Sequence, residues 1–314
     1  MRRRTNFFLG LVLLAAAIGL MLRALNLIPD GIFDLVVRAW PVLLVFGGLM
    51  IFLRERVRLG GVIALVLSGI LVAGVVSYAF STRATQERDD YQQALSMPMS
   101  AGVTLLRVQV DTLNTDVELV RAIGTGQITG QFVGSTESKL EAEYNEAGDS
   151  TATLVVSEKQ PNTYPLLAAV GRGRLTLELP PEVGLDISFK GADGDASLNL
   201  SGLAVERLNM DLRQGDALVT LPEYDPQASA ENDVLGVLAA RNGDVTVMIP
   251  AIVGARLELS NGSGQSPLYD ANVYNLLANG VLEARNYDTF PIKLRYVIEA
   301  PRGLVSLEVV EPGT

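Results

Sequence analysis

Apolar and polar positions follow two different rhythms along this chain. Up to Phe80 apolar residues run on with few breaks, in three stretches. The first is Phe7–Leu22, extending to Ile28 if Arg23 reaches the interface; the second is Leu35–Leu53; the third, Leu59–Phe80, holds 22 residues and no charge. A helix needs about 20 apolar residues to cross the hydrocarbon of a bilayer. The pattern therefore predicts a module over 1–80 with three membrane-spanning helices at about 7–27, 35–53 and 59–80. The first stretch reads as a retained helix rather than a cleaved leader, because Ile18–Leu22 follow Ala15–Ala17 with no polar stretch between.

From Val103 the period falls to two. Leu175, Leu177 and Leu179 alternate with polar residues, as do Leu185, Ile187 and Phe189; Leu208, Met210 and Leu212; Val245, Val247 and Ile249; and Leu294, Tyr296 and Ile298. Each run is short and bounded by Gly, Asp, Asn or Pro, the signature of strands with one buried face. Between the two regimes, 81–102 is polar with helix formers up to Leu95, and it predicts a juxtamembrane helix or stalk. Within 103–314 only Asn272–Leu277 suggests a single helical turn.

The strands repeat. Gly173–Pro180, Gly215–Pro222 and Gly243–Pro250 share one frame, glycine first and proline last with six residues between, and Gly194–Leu200 fits it without the proline. Gly194-Asp195, Gly215-Asp216 and Gly243-Asp244 mark equivalent turns: Gly supplies positive φ, Asp bonds nearby backbone, and Pro closes a strand where no donor is needed. Repeats of this size predict stacked β-rungs or paired meanders.

Charge divides where the rhythm does. Residues 1–80 hold eight Arg against Asp30, Asp34 and Glu55, and the remainder carries a net −15. Arg2, Arg3 and Arg4 flank the first helix, while Arg54, Arg56 and Arg58 fill the turn between the second and third. The positive-inside rule places both groups in the cytoplasm, so three crossings leave the β domain outside the cell membrane. Two or four crossings would leave it inside. No ionisable residue lies midway in the second or third stretch, which argues against an ion pathway.

The acidic balance argues against a nucleic-acid surface, because phosphate binding needs a basic one. With no Cys and no His, disulfides, Cys/His zinc sites and Ser-His-Asp triads are absent from the chain. Asp193 and Asp195, two residues apart around Gly194, are a candidate for calcium, though turn-forming Asp and Gly produce the same pattern. Gly171-Arg-Gly-Arg174 runs into a strand rather than a helix and lacks the Lys-Ser/Thr of a phosphate loop. Tyr269, Tyr274, Tyr287, Phe290 and Tyr296 concentrate near the C-terminus and suggest an aromatic cap on the β stack. No cofactor is indicated.

The stretch Phe7–Arg56 resembles the LiaI/LiaF-type transmembrane module of bacterial envelope-stress proteins. The likeness lies in Gly10 and Gly19, the Leu25–Ile28 exit, Trp40-Pro41 opening the second helix and Gly47-Gly48 within it. Leu175–Leu200 likewise resembles the toast-rack, adhesin-type β domain that follows such modules, a β-solenoid-like sheet of short stacked strands. The resemblance implies a non-enzymatic envelope-stress sensor, regulator or assembly scaffold of the cell membrane. Its partners would be the lipid bilayer, an envelope protein and a second copy of itself. A surface-displayed adhesin-like module, with the helices as a simple anchor, is the other reading.

Overall fold

The protein is described here by a computed structural model, covering residues 66, 70, 74, 77, 78, 82, 85–124, 126–136, 138–148, 150–160, 171–226, 233–260 and 266–311. The three helices expected over 7–80 lie outside these residues but for five positions, all helical, and just beyond them the helical Thr82 donates through Oγ1 to the Tyr78 carbonyl at 2.9 Å. Among the described residues no helix is long and apolar enough to cross a membrane. The β unit comprises Thr85–Thr163 and Gly171–Thr314.

Seventeen strands form among the described residues. In chain order they are β1 (Tyr91–Pro98), β2 (Leu105–Arg121), β3 (Gln127–Gly134), β4 (Lys139–Glu146), β5 (Thr151–Lys159), β6 (Gly173–Leu179), β7 (Gly184–Asp193), β8 (Ala196–Asn199) and β9 (Ala204–Leu212). There follow β10 (Ala217–Thr220), β11 (Val237–Ala240), β12 (Val245–Pro250), β13 (Val253–Ser260), β14 (Tyr274–Leu276), β15 (Val281–Ala284), β16 (Ile292–Glu299) and β17 (Val305–Val310).

Together they make one curled, half-barrel sheet, and the 17-residue β2 belongs to both of its arms. The second half of β2 pairs in parallel with β6 on one side and β8 on the other, and the arm continues through β10, β12 and β17, all parallel. The first half of β2 lies parallel between β5 and β7, and that arm continues through β9, β11, β16 and β13. A rung is thus a strand in one arm, a corner, and a strand in the other. Among the described residues five such rungs are stacked, β2 itself, β7–β8, β9–β10, β11–β12 and β16–β17, and β5 and β6 flank the two halves of β2.

Parallel pairing in register puts like positions on like positions. Leu177, Leu119, Leu198, Val219, Val247 and Leu307 form one inward column, each buried. In the other arm Val156, Val110, Phe189, Met210, Leu238 and Ile298 do the same. Each buried Leu or Phe contributes about 1.5–3 kcal/mol of transfer free energy, and because every rung touches only its neighbours the columns supply the cohesion between them.

Two expectations are corrected. Residues 81–102 were expected to form a helix or stalk, yet 91–98 form β1, antiparallel to β3 from Tyr91↔Gly134 to Pro98↔Gln127. Tyr91, Gln93, Leu95 and Met97 turn inward and Leu95 is buried, so pairing and burial override the helix preference of Gln, Ala and Leu. The helical turn expected at Asn272–Leu277 is instead a turn leading into β14, with Tyr274 2% exposed against the core.

Candidate functional site

The corners between the arms carry a ladder of aspartates. Asp116 Oδ1 accepts the backbone N–H of Asp195 at 2.8 Å, and Asp195 Oδ1 accepts that of Asp216 at 2.9 Å. Asp216 Oδ1 accepts from Asp244 N at 2.8 Å, and Asp244 Oδ1 from Leu304 N at 2.7 Å. Each carboxylate therefore satisfies a backbone donor that the corner removes from the strand ladder.

Glycine precedes each of these four corner amides for a steric reason. Gly194 and Gly215 both hold φ at 126°, a region that side chains disfavour. A Cβ on Gly194 would run into the Thr115 carbonyl, one on Gly215 into that of Gly194, one on Gly243 into that of Gly215, and one on Gly303 into that of Gly243. Asp216 and Asp244, expected as repeat markers, are therefore members of one hydrogen-bonded column with Asp195.

Asp193 and Asp195, the calcium candidates, face a cation of the protein itself. Arg172 Nη2 lies 2.8 Å from Asp193 Oδ1, and Nη1 lies 3.5 Å from Asp116 Oδ1 and 3.9 Å from Asp195 Oδ2. Among the described residues no group of three acidic side chains is arranged to hold a metal ion. Burial pushes the Asp116 carboxyl above its usual range; the Asp195 N–H and the Arg172 guanidinium oppose that rise, and the neighbouring Asp195 charge adds to it.

The first corner has a second anchor that sequence reading missed. Glu158 on β5, 6% exposed, accepts from Leu113 N at 2.7 Å, Asn114 N at 3.0 Å and Thr115 Oγ1 at 2.9 Å through one oxygen, and from Ser138 Oγ through the other. Its sequence setting, a polar position at the end of an alternating strand, gives no sign of this role. Asp116 and Leu304 were missed as well, because insertions separate them from the visible repeat.

Beside the ladder runs a shallow open groove of 420 Å³, lined among others by Asp116, Glu118, Arg174, Ser197, Leu218 and Thr246. Each ladder aspartate gives one oxygen to a backbone N–H, so the carboxylates form a continuous column along the corners. Of the C-terminal aromatics, Tyr296 is fully buried and Tyr274 nearly so, and desolvation raises both phenols. They are part of the core at the end of the stack where a cap was expected.

Residues 8–85 match the family model of the LiaF transmembrane domain. The matched LiaF-type segment ends where the β unit begins, at Thr85. The β part is similar in fold to a proposed cell adhesion protein from Clostridium sporogenes, with TM-score 0.58 and 15% identity over 70% of this chain and all of that one. A proposed adhesin from Bacteroides fragilis aligns over 70% of this chain and 98% of its own, at 12% identity and TM-score 0.25. No curated protein matches the chain.

Proposed function

We propose that this chain is a non-enzymatic, membrane-anchored regulator or assembly scaffold of the bacterial envelope, acting through protein contacts of its β domain. The observation that carries the reading is the LiaF transmembrane match over 8–85, followed from Tyr91 by the strands of the β domain. Three helices would cross the membrane, with the N-terminus and Arg54–Arg58 in the cytoplasm and the β domain outside. The parallel, in-register rungs support the solenoid-like, toast-rack description, and the acidic corner stripe with its groove is the surface offered to an envelope protein. Crosslinking in intact cells followed by recovery of the full-length protein tests this. A membrane or envelope protein captured by the wild type, and lost when Glu118 and Ser197 in the groove are replaced by arginine, is the expected result; capture of no such protein would count against it.

The fold likeness to a proposed cell adhesion protein favours a second reading, in which the helices serve only as an anchor for a displayed module. That reading expects the β domain to keep its full effect on an unrelated membrane anchor.

A further inference from the structure

All four residues of the Gly171-Arg-Gly-Arg174 run are engaged, on both sides of the run. The β unit comprises Thr85–Thr163 and Gly171–Thr314, so the chain enters it at Thr85 and again at Gly171. Those two points meet. Arg172 N donates to the Gln86 carbonyl at 2.7 Å and Arg88 N donates to the Arg172 carbonyl at 2.9 Å, a parallel bridge centred on Glu87. Arg174 pairs with the Glu87 carboxylate. Gly171 leaves room for the side-chain stem of Arg88, and a Cβ there would also stand 3.0 Å from the Gln86 carbonyl oxygen.

The same run grips the corners on its other side. The Arg172 guanidinium faces Asp116, Asp193 and Asp195, as described above. Gly173 sits against Thr115, whose hydroxyl would lie 2.8 Å from a Cβ and is itself held by Glu158.

We propose that Gly171–Arg174 is a latch coupling the segment 86–88, which follows directly on the LiaF-type module, to the first two corners of the aspartate ladder. Loosening either side loosens the other. This deepens the regulator reading and rests on it for its biological use: a displacement of the juxtamembrane segment reaches the ladder through Arg172 rather than through the strands. The physical basis is that one residue carries both contacts, its backbone holding the segment and its side chain holding three carboxylates of the corners.

Amide hydrogen exchange on the full-length protein in lipid nanodiscs, with no partner present, tests the latch apart from the question of partners. Gly171→Ala unseats the segment without changing a charge; Arg172→Gln removes the charge while leaving the backbone bridge available. The latch predicts that Gly171→Ala speeds exchange at least tenfold both at Arg88 and at the Val117 and Asp195 amides. It predicts that Arg172→Gln does the same at Arg88, with the distant Val245 and Leu304 amides unchanged in both, and that Arg172→Lys is closer to wild type. If each variant loosens only its own side, or if exchange rises equally at Leu304, the latch is overturned. Should Gly171→Ala fail to fold, the Arg88 amide in Arg172→Gln decides alone.

Discussion

Asp195 and Asp216 stand 21 residues apart in sequence and one rung apart in space, the carboxylate of the first accepting the backbone N–H of the second at 2.9 Å. The same bond recurs over separations of 79, 28 and 60 residues at the other corners. It ties each rung to the next at the point where the strand ladder is interrupted, and the stability of the stack depends on it.

Asp216→Ala leaves the Asp244 amide without its acceptor, and is expected to cost about 1–3 kcal/mol. Asp216→Asn keeps an oxygen acceptor there and is expected to cost less than half as much. Urea unfolding of the solubilised full-length protein, followed by the β signal in circular dichroism, measures both.

Asp116 makes the ladder sensitive to pH. Burial raises its folded pKa above the ordinary 3.8, so the native state holds that proton more tightly than the unfolded chain does. By linkage, its contribution to stability is fully present below the unfolded pKa and is lost as pH rises through the folded pKa. Asp116→Asn retains an acceptor for Asp195 N and does not titrate. Relative to wild type, that variant is therefore expected to gain stability as pH rises from about 3.8 toward neutrality. Equal pH profiles for the two proteins would contradict the assignment.

Glu158→Ala removes the acceptor for four donors at the first corner, three of them on β2. Unsatisfied buried donors cost about 1–3 kcal/mol each, and a loss of about 3 kcal/mol or more is expected in the same unfolding experiment. Faster hydrogen exchange at Leu113 and Asn114 would locate the effect.

Gly215→Ala forces a side chain into φ 126° and against the Gly194 carbonyl. Residues held in such regions cost about 1–3 kcal/mol, and here the close approach adds to it. Gly102→Ala, where a Cβ would meet nothing within 4 Å, is the control and is expected to be close to neutral. A comparison of melting temperatures separates the two.

Much of this architecture is legible in the chain because parallel stacking repeats the same local chemistry. Gly194-Asp195, Gly215-Asp216 and Gly243-Asp244 stand 21 and 28 residues apart, near enough for the repeat to be visible. The outer rungs are not visible in that way. Strands β3–β6 are inserted between the corner at Asp116 and that at Asp195, and β13–β15 separate Asp244 from Leu304. The first corner also carries Thr115 in place of glycine, so the motif itself is altered there.

Strand β1 was hidden for a different reason: its Gln, Ala and Leu prefer helix in isolation, and only pairing with β3 decides otherwise. The Arg172 and Glu158 side chains act at positions 20 to 56 residues distant from the groups they hold. No local pattern encodes such contacts. The calcium candidate Asp193 and Asp195 was read from spacing alone, and spacing does not reveal the guanidinium between them.

The proposed function puts the β domain on the outer side of the membrane, behind the segment 8–85 that matches the LiaF transmembrane domain. Protease treatment of intact cells tests it most directly, with an epitope at the C-terminus and cleavage followed by immunoblot. The β domain is expected to be cut in intact cells while a cytosolic control protein survives. A β domain that stays whole until the membrane is permeabilised would contradict it.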